Sequence, residues 1–219
     1  MAGRKSARAL ATFLLLAAAS SESRRYEPTW ASLDTRPLPQ WWADAKIGIF
    51  VHFSLFSVPS FHGEWFIYDW LTARDPDVVA FMQATEKPGF AYANYASRFT
   101  AELFNATEWL ELFKASGARY VVPTLKHHDA FAMWPSPYSP NFNAQDVGPK
   151  QDIIGALANA TRAAGLKFGA YHSLFEFYNP LYLRDKANNW TTDAFVATKT
   201  GPELYDLVCV SLRGSTPGS

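Results

Sequence analysis

Short apolar runs and amphipathic stretches alternate along the chain. Three runs rich in β-branched and aromatic residues, Ile47 to Phe53 (IGIFVHF), Arg119 to Leu125 (RYVVPTL) and Leu166 to His172 (LKFGAYH), have the near-continuous apolar character of strands buried in a parallel sheet. Helical patterns lie between them. Asp75-Pro76 supplies an N-cap and a proline at the first helical position, ahead of Val78, Val79, Phe81 and Met82. Asn105 with Glu108 three residues later resembles a capping box; Trp109, Leu110, Leu112 and Phe113 then make one apolar face, and Gly117 stops the helix. Asp152 caps a third helix, whose face is Ile153, Ile154, Leu157, Ala158 and Ala164, with Gly165 as its end. Pro202 opens a fourth, Glu203 to Val208.

Strands and helices alternating in one chain direction predict an α/β fold with a parallel sheet, doubly wound or closed as a (β/α)8 TIM-type barrel. Polar residues favour the barrel. All five histidines lie at or just after a predicted strand end: His52 and His62 after the first, His127 and His128 after the second, His172 at the third. Barrel enzymes build their sites there. No glycine-rich phosphate loop follows any strand, which removes the main reason to prefer a nucleotide-binding sheet.

The first residues bear on compartment. Arg4, Lys5 and Arg8 precede the apolar stretch Ala9 to Ala19, and small residues follow, predicting a signal peptide over residues 1–21. No later segment approaches the ~20 apolar residues of a membrane span. Three acceptor sequons, at Asn105, Asn159 and Asn189, agree with a secretory route and predict glycosylation. Cys209 is the only cysteine, so no internal disulfide is expected. Lys plus Arg and Asp plus Glu are both 20, which leaves no basic surplus for nucleic acid or a membrane surface. Aromatics make up 16% of the residues, eight of them Trp, which suits stacking on sugar faces as well as core packing.

Three constellations carry candidate chemistry. After the first strand, His52 is followed by Gly63-Glu64-Trp65; imidazole and carboxylate bond hydroxyls while indole covers an apolar sugar face. After the second come Lys126-His127-His128-Asp129, with Trp134 in reach as a stacking wall. Adjacent residues of an extended chain face opposite ways, so His127 and His128 are poorly placed to share a metal ion; a hydroxyl-binding pair and a polar network pinning the loop are the other readings. At the third strand, Tyr171 or His172 faces the interior, but not both.

Taken together, GIFVHF, FSVPSFHGEW, GARYVVPTLKHHDAF, DVGPKQDIIGAL and FGAYHSLFEFYNPLY resemble the α-L-fucosidase family of retaining glycoside hydrolases, from about Tyr26 to Val208. The resemblance implies an exo-acting enzyme that releases terminal L-fucose from glycoproteins and glycolipids. It implies a pocket lined by His52, Glu64, Trp65, His127, His128, Tyr171 and His172, with no metal and no cofactor. Fucosylated glycans are the implied partners, with no nucleic acid and no membrane. Full-length relatives are expected to be homo-oligomeric, and the location lysosomal or extracellular. Phe53-Ser54, His62-Gly63 and Phe177 depart from the family's usual Trp-Gly, Gly-Ser and Trp.

The resemblance also makes residues 26–208 the N-terminal portion of the barrel, truncated after about three strands, and 209–219 a divergent tail without an acidic residue. Retaining hydrolysis needs a nucleophile and an acid/base carboxylate roughly 5 to 5.5 Å apart. The family's nucleophilic aspartate ends the fourth strand, so the expectation is an impaired hydrolase from an incomplete or alternative reading of a longer gene. Glu64 is then a possible catalytic contributor, with Asp129 and Glu176 as weaker candidates. A non-catalytic fucose-binding or regulatory protein is the alternative.

Overall fold

The computed structural model describes residues 26–195. The signal-peptide stretch, the helix expected at 203–208 and Cys209 lie outside the described residues. The chain divides into two compact units after Gln40. In the first unit a short helix, Trp30–Leu33, is capped by the Thr29 hydroxyl, which accepts from the Ser32 N–H. The second unit holds the sheet and the candidate site residues.

Its centre is a parallel sheet. Strand β1 (Gly48–Val51) lies beside β2 (Tyr120–Lys126), with Gly48 opposite Tyr120 and Val51 opposite Pro123. The third predicted strand forms as two short pieces, β3 (Lys167–Phe168) and β4 (Tyr171–His172), both parallel to β2. The break falls at Gly169-Ala170, and the Gly169 N–H still reaches the Val121 carbonyl at 2.8 Å. At Gly48 a Cβ would lie 2.1 Å from the Tyr120 ring, so any side chain there would have to displace that ring.

The helices begin where their caps predict. Helix α1 (Pro76–Thr85) is headed by Asp75, which accepts from the Asp77 and Val78 N–H groups. Asn105 does the same for α2 (Ala106–Ala115), and Asp152 caps α3 (Ile153–Ala163) through the Gly155 N–H. Gly165, at φ 76°, takes the left-handed turn that lets α3 end and β3 start. Helix α4 (Pro180–Ala187), which the sequence pattern did not reveal, follows Asn179 as N-cap and Pro180 as first residue.

Between sheet and helices sits one continuous core that includes Leu55, Phe66, Val78, Tyr95, Leu110, Val121, Leu125, Ile153 and Leu157, all nearly or fully shielded from solvent. Each such side chain contributes about 1.5–3 kcal/mol by leaving water. This core anchors the strand C-termini from which the polar side chains emerge. Trp134 belongs to it. At 3% exposure the indole cannot serve as the stacking wall expected from its place in the sequence.

Candidate functional site

The site rises from the end of β2. A register shift between Thr124 and Lys126 sets these residues against Tyr171 and His172 of β4, and such irregularities turn a strand where they occur. Lys126, the last strand residue, is buried; its Nζ lies 2.5 Å from Glu176 Oε1, while Asn179 Nδ2 donates to Glu176 Oε2 at 2.6 Å. The Ser173 N–H donates to the Lys126 carbonyl at 3.0 Å. One buried ion pair therefore staples the second strand to the loop that follows the fourth.

Asp129 is fastened in the same manner. Its Oδ2 accepts from the Tyr92 hydroxyl at 2.8 Å and its Oδ1 from the Phe131 N–H at 3.2 Å. Burial pushes its pKa up to about 6, with these two hydrogen bonds opposing the rise. Both oxygens of Asp129 and of Glu176 are thus engaged within the protein, where the two carboxylates fasten the loops that follow β2 and β4. The pinned-loop reading of the Lys126–Asp129 segment holds for Lys126 and Asp129, and in part for His128, whose Nδ1 bonds the Phe175 carbonyl.

Strand alternation ends at Lys126, and the following turn carries Ala130 at φ 73°. His127 and His128 consequently gather instead of pointing apart. Their ring centroids are 5.1 Å from each other, and Trp65 lies 5.7 Å from the first and 5.1 Å from the second. Tyr171 stands nearly parallel to His127 at 5.7 Å; His52 lies 5.8 Å from His127 and 6.0 Å from Tyr171. Five of the seven predicted pocket residues therefore form one aromatic cluster. Trp65, 39% exposed, and His52, also exposed, form its open edge.

The sixth, Glu64, borders a cavity of about 330 Å³ together with His52, Ser57 and Ser60. Its charge acts on His127 against the dominant effects there, which are burial and then the neighbouring His128 and His52; the His127 pKa is pulled down to about 4. His127 is therefore neutral from mildly acidic pH upward, with one ring nitrogen donating and the other accepting. That suits sugar hydroxyls. His128 Nδ1 lies 2.8 Å from the Phe175 carbonyl, which can only accept, so this nitrogen carries the proton and Nε2 is left as an acceptor in the neutral ring. Tyr171 is oriented by Ser173, whose hydroxyl donates to the phenol oxygen at 3.1 Å.

His172 goes elsewhere. Its ring lies 5.8 Å from Trp134, burial and the Lys126 charge lower its pKa to about 4, and its Nδ1 is buried without a hydrogen-bond partner among the described residues. Of the pair left open by strand alternation, Tyr171 is the one in the cluster. The aromatic framing was not legible beforehand: Phe50 lies 4.3 Å from His52, Phe56 5.7 Å from His127, and Phe177 stacks on His128 at 4.4 Å and 5°. Phe56 is buried core, and only its place two residues past a strand-end loop hinted at this role.

The sequon asparagines Asn105, Asn159 and Asn189 are all exposed, although the Thr161 of the second sequon is buried and donates to the Leu157 carbonyl within α3. Among the described residues no group of three His, Cys, Asp or Glu side chains has the geometry of a metal site, and no helix is long and apolar enough to cross a membrane.

Comparison with known proteins places this geometry in context. The family model described as alpha-L-fucosidase matches residues 13–210. Tissue alpha-L-fucosidase of Bos taurus is 52% identical over 184 residues, covering 84% of this chain and 39% of the bovine protein; that of Homo sapiens is 51% identical over 185 residues, covering 84% and 40%. The alpha-fucosidase of Thermotoga maritima, solved in complex with fucose, superimposes with a TM-score of 0.62 at 40% identity, covering 68% of this chain and 37% of that one. The chain thus spans about two fifths of the length of the curated relatives it matches.

Proposed function

The chain belongs to the α-L-fucosidase family, and from that membership we propose that it contributes the fucose-gripping side of an exo-acting, retaining fucosidase that removes terminal L-fucose from glycoproteins and glycolipids. The observation that carries the reading is the cluster itself: His52, His127, His128, Tyr171 and Trp65 at the C-terminal end of a parallel sheet, beside Glu64. Imidazoles, a phenol and a carboxylate match the alternating donors and acceptors of a sugar ring, and the indole edge matches its apolar face. The similarity to a fucosidase solved with fucose supports that sugar over others.

In this reading the strands β1, β2 and the β3–β4 pair are the first three of a (β/α)8 barrel, whose strand C-termini form the site. The seven residues His52, Glu64, Trp65, His127, His128, Tyr171 and His172 are assigned to the sugar pocket, His172 by support from behind. Fucosylated glycans are the partners, full-length relatives are homo-oligomers, and the exposed asparagines Asn105, Asn159 and Asn189 carry glycans acquired in the secretory pathway on the way to lysosome or cell exterior.

Among the described residues near the cluster, Glu64 is the one carboxylate without a hydrogen bond to the protein. A retaining reaction needs two, roughly 5 to 5.5 Å apart. The described residues supply one such free carboxylate beside the cluster, so the expected behaviour is binding of L-fucose with poor hydrolysis of α-L-fucosides. A fucose-binding protein without turnover is the second reading, favoured by the same occupied carboxylates. Incubation of the purified chain with an aryl α-L-fucoside, beside calorimetric titration with L-fucose, separates them: binding with slow turnover supports the impaired hydrolase, binding without turnover supports the non-catalytic reading, turnover at the rate of a full-length fucosidase defeats both, and absence of both turnover and binding defeats the site assignment.

A further inference from the structure

Glu64 and Trp65 reach the cluster from a turn whose backbone is held in an unfavourable shape. Ser60 (φ 47°) and His62 (φ 67°) are both in the left-handed region, which residues with a Cβ visit rarely and keep only where the surroundings hold them. Phe61, between them, lies flat on Phe81 of α1, with ring centroids 4.3 Å apart and planes 4° from parallel. That contact anchors the tip of the turn but leaves the two residues that matter downstream of it.

The downstream anchor is His62. Its Nδ1 is 3.0 Å from Asp69 Oδ2 and its Nε2 4.0 Å from Asp75 Oδ2. Asp69 is tied in two further ways: its own N–H donates to the Trp65 carbonyl at 3.0 Å, and its carbonyl accepts from the Asp75 N–H at 2.9 Å. Asp75 in turn caps α1. The span from His62 to Trp65 is thus closed at both ends on one aspartate, which is itself fixed to a helix cap. His62 also borders the cavity shared by His52 and Glu64.

We infer that His62 is a positioning residue for sugar binding: by bridging Asp69 and Asp75 it holds the strained turn in the shape that presents Glu64 and Trp65 to the sugar. The inference rests on the fucose-binding reading above for its ligand, though not for its geometry. The groups acting on His62 are Asp69, Asp75 and Asp77, all acidic, and together they raise its pKa above the ordinary histidine value despite some burial. An imidazolium donates to Asp69 and is attracted to Asp75 across 4.0 Å, so the bridge is complete below that raised pKa and weakens as pH rises through it. Fucose affinity carries the same dependence.

The test compares the full chain with its His62→Gln and Asp69→Asn variants by calorimetry with L-fucose between pH 5 and pH 8. At the acidic end the variants are expected to bind roughly two- to fivefold more weakly, the scale of one partly exposed ion pair, and the gap is expected to close towards pH 8. Variants that match the parent chain at every pH overturn the inference. Hydrogen exchange at the Gly63 and Phe66 amides, which bond to the Phe61 and Gly63 carbonyls, gives a second readout without any sugar. Exchange there is expected to be slower at pH 5 than at pH 8, after correction for intrinsic rates, in the parent chain alone. If the parent binds no fucose, the functional reading fails while this readout still decides the role of His62; equal corrected protection in parent and His62→Gln overturns it.

Discussion

Two histidines of the same region sit in opposite electrostatic settings. His127 is 3% exposed, flanked by two other imidazoles and aromatic rings, and its pKa falls to about 4. His62 faces solvent between aspartates and its pKa rises. Burial without a bonded carboxylate produces a neutral ring that can both give and accept a hydrogen bond; a hydrogen-bonded carboxylate produces a charged one that holds a turn. The difference teaches that position near a strand end does not fix a histidine's role. What lies within hydrogen-bond reach does.

The buried Lys126–Glu176 pair beside His127 should be harder to disturb than the exposed His62 bridge. Lys126→Ala leaves the Glu176 carboxylate largely buried beside Asn179 alone, and the expected loss is about 3–5 kcal/mol, measured by urea unfolding. A loss below about 1 kcal/mol would put this pair in the class of exposed ion pairs and erase its distinction from the His62 bridge.

Next in size is an effect on binding with little effect on folding. His127→Phe keeps an aromatic ring against Phe56, Trp65 and Tyr171 and removes both hydrogen-bonding nitrogens. Fucose affinity is expected to fall by about tenfold, from net hydrogen bonds of about 0.5–1.5 kcal/mol each. Thermal unfolding should shift little, because no hydrogen bond within the protein is lost with the ring.

The pH dependence of stability separates the groups further. His127 and His172 both have folded pKa values near 4, below the ordinary 6.5, so the unfolded chain takes up their protons first. Their contribution is fully present above about pH 6.5 and declines as pH falls towards 4. Asp129 acts in the opposite direction: with its pKa raised from 3.8 to about 6, the folded state holds its proton more tightly, and stability is gained as pH falls through 6 towards 4. Asp129→Asn should therefore steepen the acid loss seen in unfolding titrations between pH 6 and pH 4, and His127→Phe should flatten it.

The smallest expected effect concerns the core behind the cluster. The Trp134 indole N–H is buried without a partner among the described residues, so Trp134→Phe gives up packing and relieves an unmet donor at once. The net change should lie within about 1 kcal/mol by chemical unfolding.

Much of the frame was legible in the chain. The helix starts at Asp75, Asn105 and Asp152 follow from local hydrogen bonding between a cap side chain and nearby N–H groups, which needs no tertiary information. The sheet follows from apolar runs, except that the third strand splits at Gly169-Ala170, where an unbroken run gave no warning. The cluster was half legible. Residue type and strand-end position pointed to His52, Glu64, Trp65, His127 and His128, but strand alternation does not continue past Lys126, so the gathering of His127 and His128 could not be read from it. Long-range pairings such as Lys126 with Glu176 and Phe61 on Phe81 depend on how distant segments meet, which periodicity does not encode. Trp134 was misplaced for the same reason: an aromatic just beyond a strand end looks alike whether it turns to the pocket or to the core.

The central claim is that the His127 cluster grips fucose, and calorimetric titration of the purified chain with L-fucose, repeated on His127→Phe, tests it most directly. The account predicts saturable binding by the parent chain and about tenfold weaker binding by the variant. A parent chain that is folded by circular dichroism and shows no heat of binding at millimolar fucose, or a variant that binds as tightly as the parent, would contradict it.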